Sequence, residues 1–307
     1  MQKWTAENIP DQQGKLAIVT GANSGLGAVT ALELARHGAQ VVVASRNVAK
    51  GTAAASAFAA VATGPEPLVR ELDLGSLDSI RRFAGEFADK RVGLLVNNAG
   101  VMMTPRRTTS DGFELQVGTN HLGHFALTGL LLEAVERADG GRIVTVSSNE
   151  HKGGHINFDD LQFERGYTPR AAYQRSKLAN AIFAIELDRR LRSAHSPAIS
   201  VFAHPGYSAT NLQSTGPTGL LKAILAISNR VLAQPAERGA LPTLYAATAP
   251  GVQGGMYFGP DGPAEMRGFP KPVKAIPAAY DRETGSRLWQ VSEQLTGVHY
   301  RLRGEVA

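Results

Sequence analysis

Short apolar runs alternate with amphipathic, helix-patterned stretches from Lys15 almost to the end of this 307-residue chain. That alternation predicts the α/β class: a doubly wound parallel sheet in a single domain. Two further observations support it. The runs are continuously apolar, as strands buried on both faces are, and no Pro/Ser-rich linker, repeat or low-complexity tract divides the chain.

Leu16-Ala17-Ile18-Val19 reads as the first strand and ends in Thr20-Gly21. The following helix carries Leu26, Val29, Leu32, Leu34 and Ala35 and stops at Gly38. Val41-Val42-Val43-Ala44 is the second strand, and an alanine-rich helix follows from about Val48 to Val61. The stretch from Pro67 to Asp73 reads as a third strand. Ser76 is suited to cap the helix holding Leu77, Ile80, Phe83 and Phe87. Leu94-Leu95-Val96, Ile143-Val144-Thr145-Val146 and the run from Ile199 to Ala203 continue the series. A long helix after Asp111 and another after Pro169 separate them. Residues 211–233 and the Gly/Pro-rich stretch 251–277 read as excursions from the sheet's edge, the first of them covering the substrate.

Composition narrows the function classes. A hydrophobic share of 43% with 19% charged residues is ordinary for a globular protein. The net charge of +5 is spread over pairs such as Arg81-Arg82, Arg106-Arg107 and Arg189-Arg190, which reads as a solvated surface and not a nucleic-acid face. There is no cysteine, so disulfides, thiolate nucleophiles and zinc–cysteine sites are excluded. No apolar run approaches the roughly 20 residues that cross a bilayer. The nearest, from Leu220 to Leu232, is broken by Lys222, Asn229 and Arg230. The first residues also lack the apolar run of a secretory signal. The expectation is a cytoplasmic protein with no integral membrane segment and no nucleic-acid partner.

Glycines cluster in Thr20-Gly21-Ala22-Asn23-Ser24-Gly25-Leu26-Gly27, between the first strand and the first helix. Such a turn lets backbone approach a pyrophosphate, and the helix N-terminus adds N–H groups and a favourable dipole. Its glycine spacing departs from G-x-G-x-x-G. The second strand ends at Ala44-Ser45-Arg46, with no Asp or Glu between Gln40 and Arg46. An arginine there accommodates a 2′-phosphate, which points to NADP(H). Asn47 could bond a ribose hydroxyl, which leaves NAD(H) open. Asp73 could accept from an adenine amino group or simply flank a helix. Tyr173 and Lys177 stand one helical turn apart, with phenol and ammonium on one face. A neighbouring cation favours the phenolate.

Taken in order, these motifs resemble the short-chain dehydrogenase/reductase superfamily in its single-domain, Rossmann-type form. The resemblance rests on T-G-x-x-x-G-x-G at Thr20 to Gly27, Asn97-Asn98-Ala99-Gly100, Asn120, Ser147-Ser148, Tyr173 with Lys177, and Pro205-Gly206 with Thr210. It spans roughly Gly14 to Gly259. The local wording is most similar to the retinol-dehydrogenase-like and WW-domain-containing-oxidoreductase-like branch. The signs are Asn120-His121-Leu122-Gly123-His124-Phe125, Phe158-Asp159-Asp160-Leu161-Gln162, Ser176-Lys177-Leu178-Ala179-Asn180 and His204-Pro205-Gly206. No WW domain or membrane anchor is legible in the 307 residues.

The resemblance implies an oxidoreductase that uses NADP(H), or else NAD(H). It assigns proton transfer to Tyr173 and a hydrogen bond to the substrate oxygen to Ser148, with Ser147 as the alternative in another strand register. Lys177 would lower the tyrosine pKa and hold the nicotinamide ribose, and Asn120 would anchor a water chain to solvent. Cofactor contacts are implied at Gly21, Asn23, Ser24, Gly25, Leu26 and Gly27, and at Arg46, Asp73 and Leu74. Further ones fall at Asn97, Ala99, Gly100, Pro205, Gly206 and Thr210, besides Tyr173 and Lys177.

The histidine pairs His121/His124 and His151/His155 have ligand-like spacings, but no third ligand or H-E-x-x-H accompanies them. They read as structural or pocket-lining, with no metal. Ser148 lacks the G-x-S-x-G elbow of a hydrolase. Residues 101–110, 149–168 and 211–233 fall beyond the carboxyl ends of the strands, where such sheets bind ligands. Met102, Met103, Phe158, Tyr207 and the Leu220-to-Leu232 helix would make an apolar pocket for a hydrophobic alcohol, aldehyde or ketone. A cofactor-binding regulatory or scaffold protein with little turnover is the second reading. The helices holding Asn120 and Tyr173 often form dimer faces in the family, which leaves a homo-oligomer open.

Overall fold

The computed structural model describes residues 3–207 and 234–302. Thr210 and the expected excursion at 211–233 lie outside them. The strands are β1 Leu16–Thr20, β2 Gln40–Ser45, β3 Leu68–Glu71, β4 Val92–Asn97, β5 Arg142–Val146, β6 Ile199–Ala203, β7 Tyr257–Pro260 and β8 Pro270–Val273. They form one sheet in the order β3-β2-β1-β4-β5-β6-β7-β8. All pairings are parallel except β7 with β8. Chain order reverses between β1 and β4, so the crevice for a ligand opens above their carboxyl ends.

The helices are α1 Gly25–Arg36, α2 Val48–Ala59, α3 Leu77–Gly85, a single turn α4 Leu115–Val117, α5 Gly123–Glu136, α6 Pro169–Ser193, α7 Ala236–Thr248 and α8 Arg282–Thr296. Strand residues alternate between two cores. Ile18, Val42, Leu95 and Ile143 face one that includes side chains of α3, α5 and α8. Ala17, Val19, Val41, Val43, Leu94, Val96 and Val144 face the other, with α1, α2 and α7. Burial on both faces explains why these strands read as unbroken apolar runs.

The stretch 251–277 differs from expectation, because it adds β7 and β8 to the sheet. Tyr257 and Phe258 are 2% and 1% exposed, and Tyr257 stacks on Phe202 of β6 at 4.1 Å between ring centroids. The prolines that disguised β8, Pro270 and Pro272, are tolerated because an edge strand leaves one row of N–H positions unpaired. The helix expected after Asp111 also differs. A π-helical turn, Gly118–Leu122, joins α4 to α5, with the Gly123 N–H bonded to the Gly118 carbonyl. Asn120 sits in that turn.

Helix α8, which the sequence pattern did not single out, lies across α5 and α6. Its Trp289 meets Phe125 at 5.1 Å, Phe183 at 6.1 Å and Tyr300 at 4.4 Å between centroids. The Tyr300 hydroxyl donates to the Phe125 carbonyl at 2.7 Å.

A second junction is polar. The Asn98 and Ala99 N–H groups both donate to Thr20 Oγ1 at 2.9 Å. His124 Nδ1 faces the Asn120 carbonyl at 2.9 Å, so Nδ1 carries the ring proton and Nε2 accepts from the Thr20 hydroxyl, also at 2.9 Å. His124 thus ties the ends of β1 and β4 to the π-helical turn.

Truncation of Trp289 to Ala should lower unfolding free energy by about 3–5 kcal/mol, read from the shift of a urea transition. Acid should also destabilise the protein. Burial holds His121 at about 3 and His124 at about 4, below their ordinary 6.5. Between those values the unfolded chain binds protons that the native chain refuses, so stability falls as pH drops from about 6.5 towards 4. Urea midpoints measured across that interval test this, and a flat profile would remove both histidines from the account.

Candidate active site

The glycine turn closes over the end of β1 as sterics require. A Cβ on Gly27 would lie 2.4 Å from Asn98 Nδ2 and 2.5 Å from the Gly21 carbonyl oxygen, so only glycine fits. The Asn98 amide donates to the Thr20 carbonyl at 2.8 Å and fixes the turn against β4. Ser24, the N-cap of α1, is extended and its side chain makes no capping bond. By contrast Asn47, Ser76, Thr168 and Asp281 cap α2, α3, α6 and α8. The α1 N-terminus therefore presents backbone donors and its dipole without a side-chain competitor, which suits a pyrophosphate.

Helix α6 supplies the reactive groups and is stapled to the end of β5. The Ser147 hydroxyl donates to the Lys177 carbonyl at 2.8 Å, and the ammonium of Lys177 donates to the Val146 carbonyl at 3.0 Å. Ser147 lines the cleft but is 2% exposed, with its hydroxyl proton spent on this staple, whereas Ser148 is half-buried and outside the staple. The two serines thus differ in that the staple commits the Ser147 hydroxyl proton and leaves that of Ser148 uncommitted to it. The Ser148 hydroxyl accepts from the Glu150 N–H at 3.2 Å and lies near enough to the Tyr173 phenol to favour its ionised form. Asn120 Oδ1 accepts from the Val101 N–H at 2.7 Å, while its amide donates to the Val101 carbonyl and to Ser176 Oγ, each at 2.9 Å. Its side chain thus clamps the loop after β4 to α6 one residue before Lys177.

Electrostatics correct one expectation. Burial pushes Tyr173 up to about 12, opposed by the Ser148 hydrogen bond and reinforced by Glu150. Lys177 does not offset this. Its ammonium lies 5.9 Å from the Tyr173 ring centroid, and burial lowers it to about 8, so it is neutral before such a phenol ionises. With one carbonyl acceptor and three protons, Lys177 keeps two donors for a ribose.

Gly21, Asn23, Ser24, Gly25, Leu26, Gly27, Ala99, Gly100, Tyr173, Lys177 and Pro205 line one cleft of about 190 Å³, and Asn98 lines it too. A larger hollow of about 400 Å³, bounded by Thr5, Glu33, Arg36 and Arg238, holds none of them. Asn97 differs from expectation. It is 1% exposed and donates to Thr128 Oγ1 at 2.9 Å, so its side chain serves α5 while Asn98 takes its place. A strand alternates its faces, which is the signal that separates the two asparagines.

Arg46 is exposed at the end of β2 and makes no ion pair among the described residues. Asn47 Oδ1 accepts from the Lys50 N–H at 2.9 Å as the cap of α2. Asp73 Oδ1 accepts from the Gly75 N–H at 2.8 Å, and the Leu74 side chain is buried in the core, leaving only its backbone for a ligand. Gly206 follows Pro205 at φ 66°. Phe158, expected in the substrate pocket, instead packs beside Ile156, Leu161 and Leu178 under the Arg287 guanidinium. Among the described residues no group of three or more His, Asp or Glu is placed to hold a metal, and no helix is long and apolar enough to cross a membrane.

Comparison with known proteins agrees with this geometry. The short chain dehydrogenase family model matches residues 15–218. Human retinol dehydrogenase 14 is 41% identical over 303 residues, covering 93% of this chain and 87% of that protein. Human retinol dehydrogenase 13 is 42% identical over 294 residues, covering 93% and 85%. An uncharacterized protein from Mycobacterium paratuberculosis has a solved structure that superposes with a TM-score of 0.83 at 44% identity, covering 98% of this chain and all of that one. The NADP complex of Pseudomonas aeruginosa RhlG shares the fold at 22% identity and a TM-score of 0.62, over 80% of this chain and 94% of its own. The chain belongs to the short-chain dehydrogenase/reductase family, in its retinol-dehydrogenase-like branch, and is an NAD(P)-dependent oxidoreductase of alcohol and carbonyl groups.

Proposed function

We propose that the protein moves a hydride between NADP(H) and a hydrophobic alcohol or carbonyl compound, with Tyr173 as general acid and base. One observation carries the reading: Tyr173 and Lys177 line the same cleft as a helix N-terminus that no side chain caps, with Ser148 beside the Tyr173 phenol. The 2′-phosphate preference rests on Arg46, which is exposed at the end of β2 and makes no ion pair among the described residues.

When bound, NADP(H) supplies or accepts the hydride at its nicotinamide. Everything else falls to the chain. In reduction, negative charge grows on the carbonyl oxygen, which accepts a hydrogen bond from Ser148 and then the phenolic proton of Tyr173. Lys177 holds the ribose with its two unused donors. Charged, it also lowers the cost of the phenolate that the proton leaves behind. Asn120 keeps the loop at Val101 and helix α6 at fixed separation. In oxidation the phenolate takes the alcohol proton back.

Met102 and Met103, which follow Gly100, favour an apolar substrate, and the relatives named for retinol fit that class. Residence in the cytoplasm belongs to the same proposal, and cell fractionation tests it.

Tyr173→Phe should cut turnover by about 10²–10⁴-fold with the fold intact. A panel of aldehydes, ketones and alcohols assayed with NADPH and NADP⁺ reads this out. Wild type as inactive as Tyr173→Phe on every compound, while still binding nucleotide tightly, would favour a regulatory protein over an enzyme. Arg46→Asp should weaken NADPH roughly tenfold to hundredfold and NADH far less. Equal losses for the two nucleotides would remove Arg46 as the selector.

A further inference from the structure

Beside the catalytic groups, the turn between β7 and β8 holds two consecutive non-glycine residues in left-handed backbone, Ala264 at φ 50° and Glu265 at φ 55°. Each costs about 1–3 kcal/mol and persists only where its surroundings hold it. Here the surroundings are the ends of β5 and β6. Glu265 Oε2 accepts from Lys152 Nζ at 3.0 Å and lies 3.1 Å from His204 Nε2. The Asn149 amide donates to the Ala264 carbonyl at 2.8 Å, and the Tyr207 N–H donates to the Met266 carbonyl at 2.7 Å. Asn149 and Lys152 follow the catalytic Ser148. His204 and Tyr207 bracket Pro205-Gly206. One short turn therefore grips the two strand ends that flank the cleft.

The proton positions follow from the partners. The Gly206 N–H donates to His204 Nδ1 at 3.2 Å, so Nδ1 carries a lone pair. The ring proton then sits on Nε2, which donates to the Glu265 carboxylate. The ring is fully buried, with Tyr257 at 5.3 Å between centroids. Backbone crowds it on both sides. A Cβ on Gly259 would come 2.1 Å from His204 Nε2, and one on Gly206 would come 2.4 Å from the Met266 carbonyl oxygen. The charged and titratable groups near the ring are Glu265, Lys152, His151 and Tyr257.

We infer that Glu265 is a positioning residue: by accepting from His204 and Lys152 together, it holds Gly206 and Ser148 in register across the cleft. The hydrogen bond to His204 is also the first cause that lowers the Glu265 carboxyl to about 2, so the acceptor is charged at any working pH. The inference rests on the reading of the cleft as an NADP(H) site.

Three variants of the full chain test it, with NADPH affinity from fluorescence titration, steady-state kinetics, and the thermal midpoint measured without nucleotide. Glu265→Gly removes the acceptor but places at φ 55° the residue that tolerates it best, so relief of strain offsets part of the loss. Glu265→Asn tolerates the same backbone and is too short to reach both partners. Glu265→Gln keeps an oxygen for His204 and drops the charge. The expected result is NADPH affinity about tenfold weaker and kcat lower for the Gly and Asn variants, with midpoints within a few degrees of wild type. The Gln variant should stay close to wild type in both affinity and kcat. NADPH affinity and kcat unchanged in both Gly and Asn variants would overturn the inference. So would a Gln variant as weak as the Gly variant, because the acceptor to His204 would then not matter. A loss that tracks the thermal midpoint across all three would make the role merely structural. Wild type that binds no nicotinamide nucleotide would overturn the cofactor reading itself, and the inference with it.

Discussion

The site depends on the staple between the end of β5 and helix α6. Val146, Ser147 and Ser148 are consecutive, and the first two are fixed to α6 from opposite directions. The Val146 carbonyl accepts from Lys177 Nζ and from Asn180 Nδ2, while Ser147 Oγ donates to the Lys177 carbonyl. Ser148 follows directly, near Tyr173, which lies one turn before Lys177. All of this lies in a region where Ser147, Lys177 and Asn180 are at most 5% exposed. Hydrogen bonds in such surroundings are costly to leave unmade, so strand end and helix hold a single relative position.

The π-helical turn is the corresponding device on the other side of the cleft. A bond from residue 123 to residue 118 widens the helix by one residue. That places the Asn120 side chain against Val101 while its own carbonyl accepts from His124. His124 in turn accepts from Thr20, whose hydroxyl gathers the N–H groups of Asn98 and Ala99. The phosphate turn, the N-N-A-G segment and Asn120 are thus one hydrogen-bonded body.

Much of this was legible in the sequence because its determinants are local. A continuous apolar run such as Val41 to Ala44, a cap such as Ser76 and a steric demand such as that at Gly27 are each settled within a few residues. The order of Asn120, Ser148, Tyr173 and Lys177 was readable by resemblance. What escaped were features fixed by distant partners. Prolines hid β8, because tolerance of proline depends on being at a sheet edge that only the assembled sheet defines. Asn97 and Asn98 are adjacent in sequence, and only the strand's alternation sends one to Thr128 and the other to Thr20. The grip of Glu265 on His204 joins residues 61 apart and has no spacing to recognise.

The tyrosine–lysine pair shows best why residue type and spacing are not yet chemistry. Spacing suggests a cation that eases ionisation of a phenol. Burial opposes that, because the same dry surroundings that exclude competing water penalise both charged forms, raising the phenol and lowering the ammonium. Tyr173 at about 12 and Lys177 at about 8 are two sides of one desolvation cost. At about 8 the ammonium keeps most of its charge at neutral pH, and acceptors or negative charge at its two unused donors would favour that form further. Those donors are the ones left over by Val146, so an acceptor bound there would at the same time stabilise the ammonium.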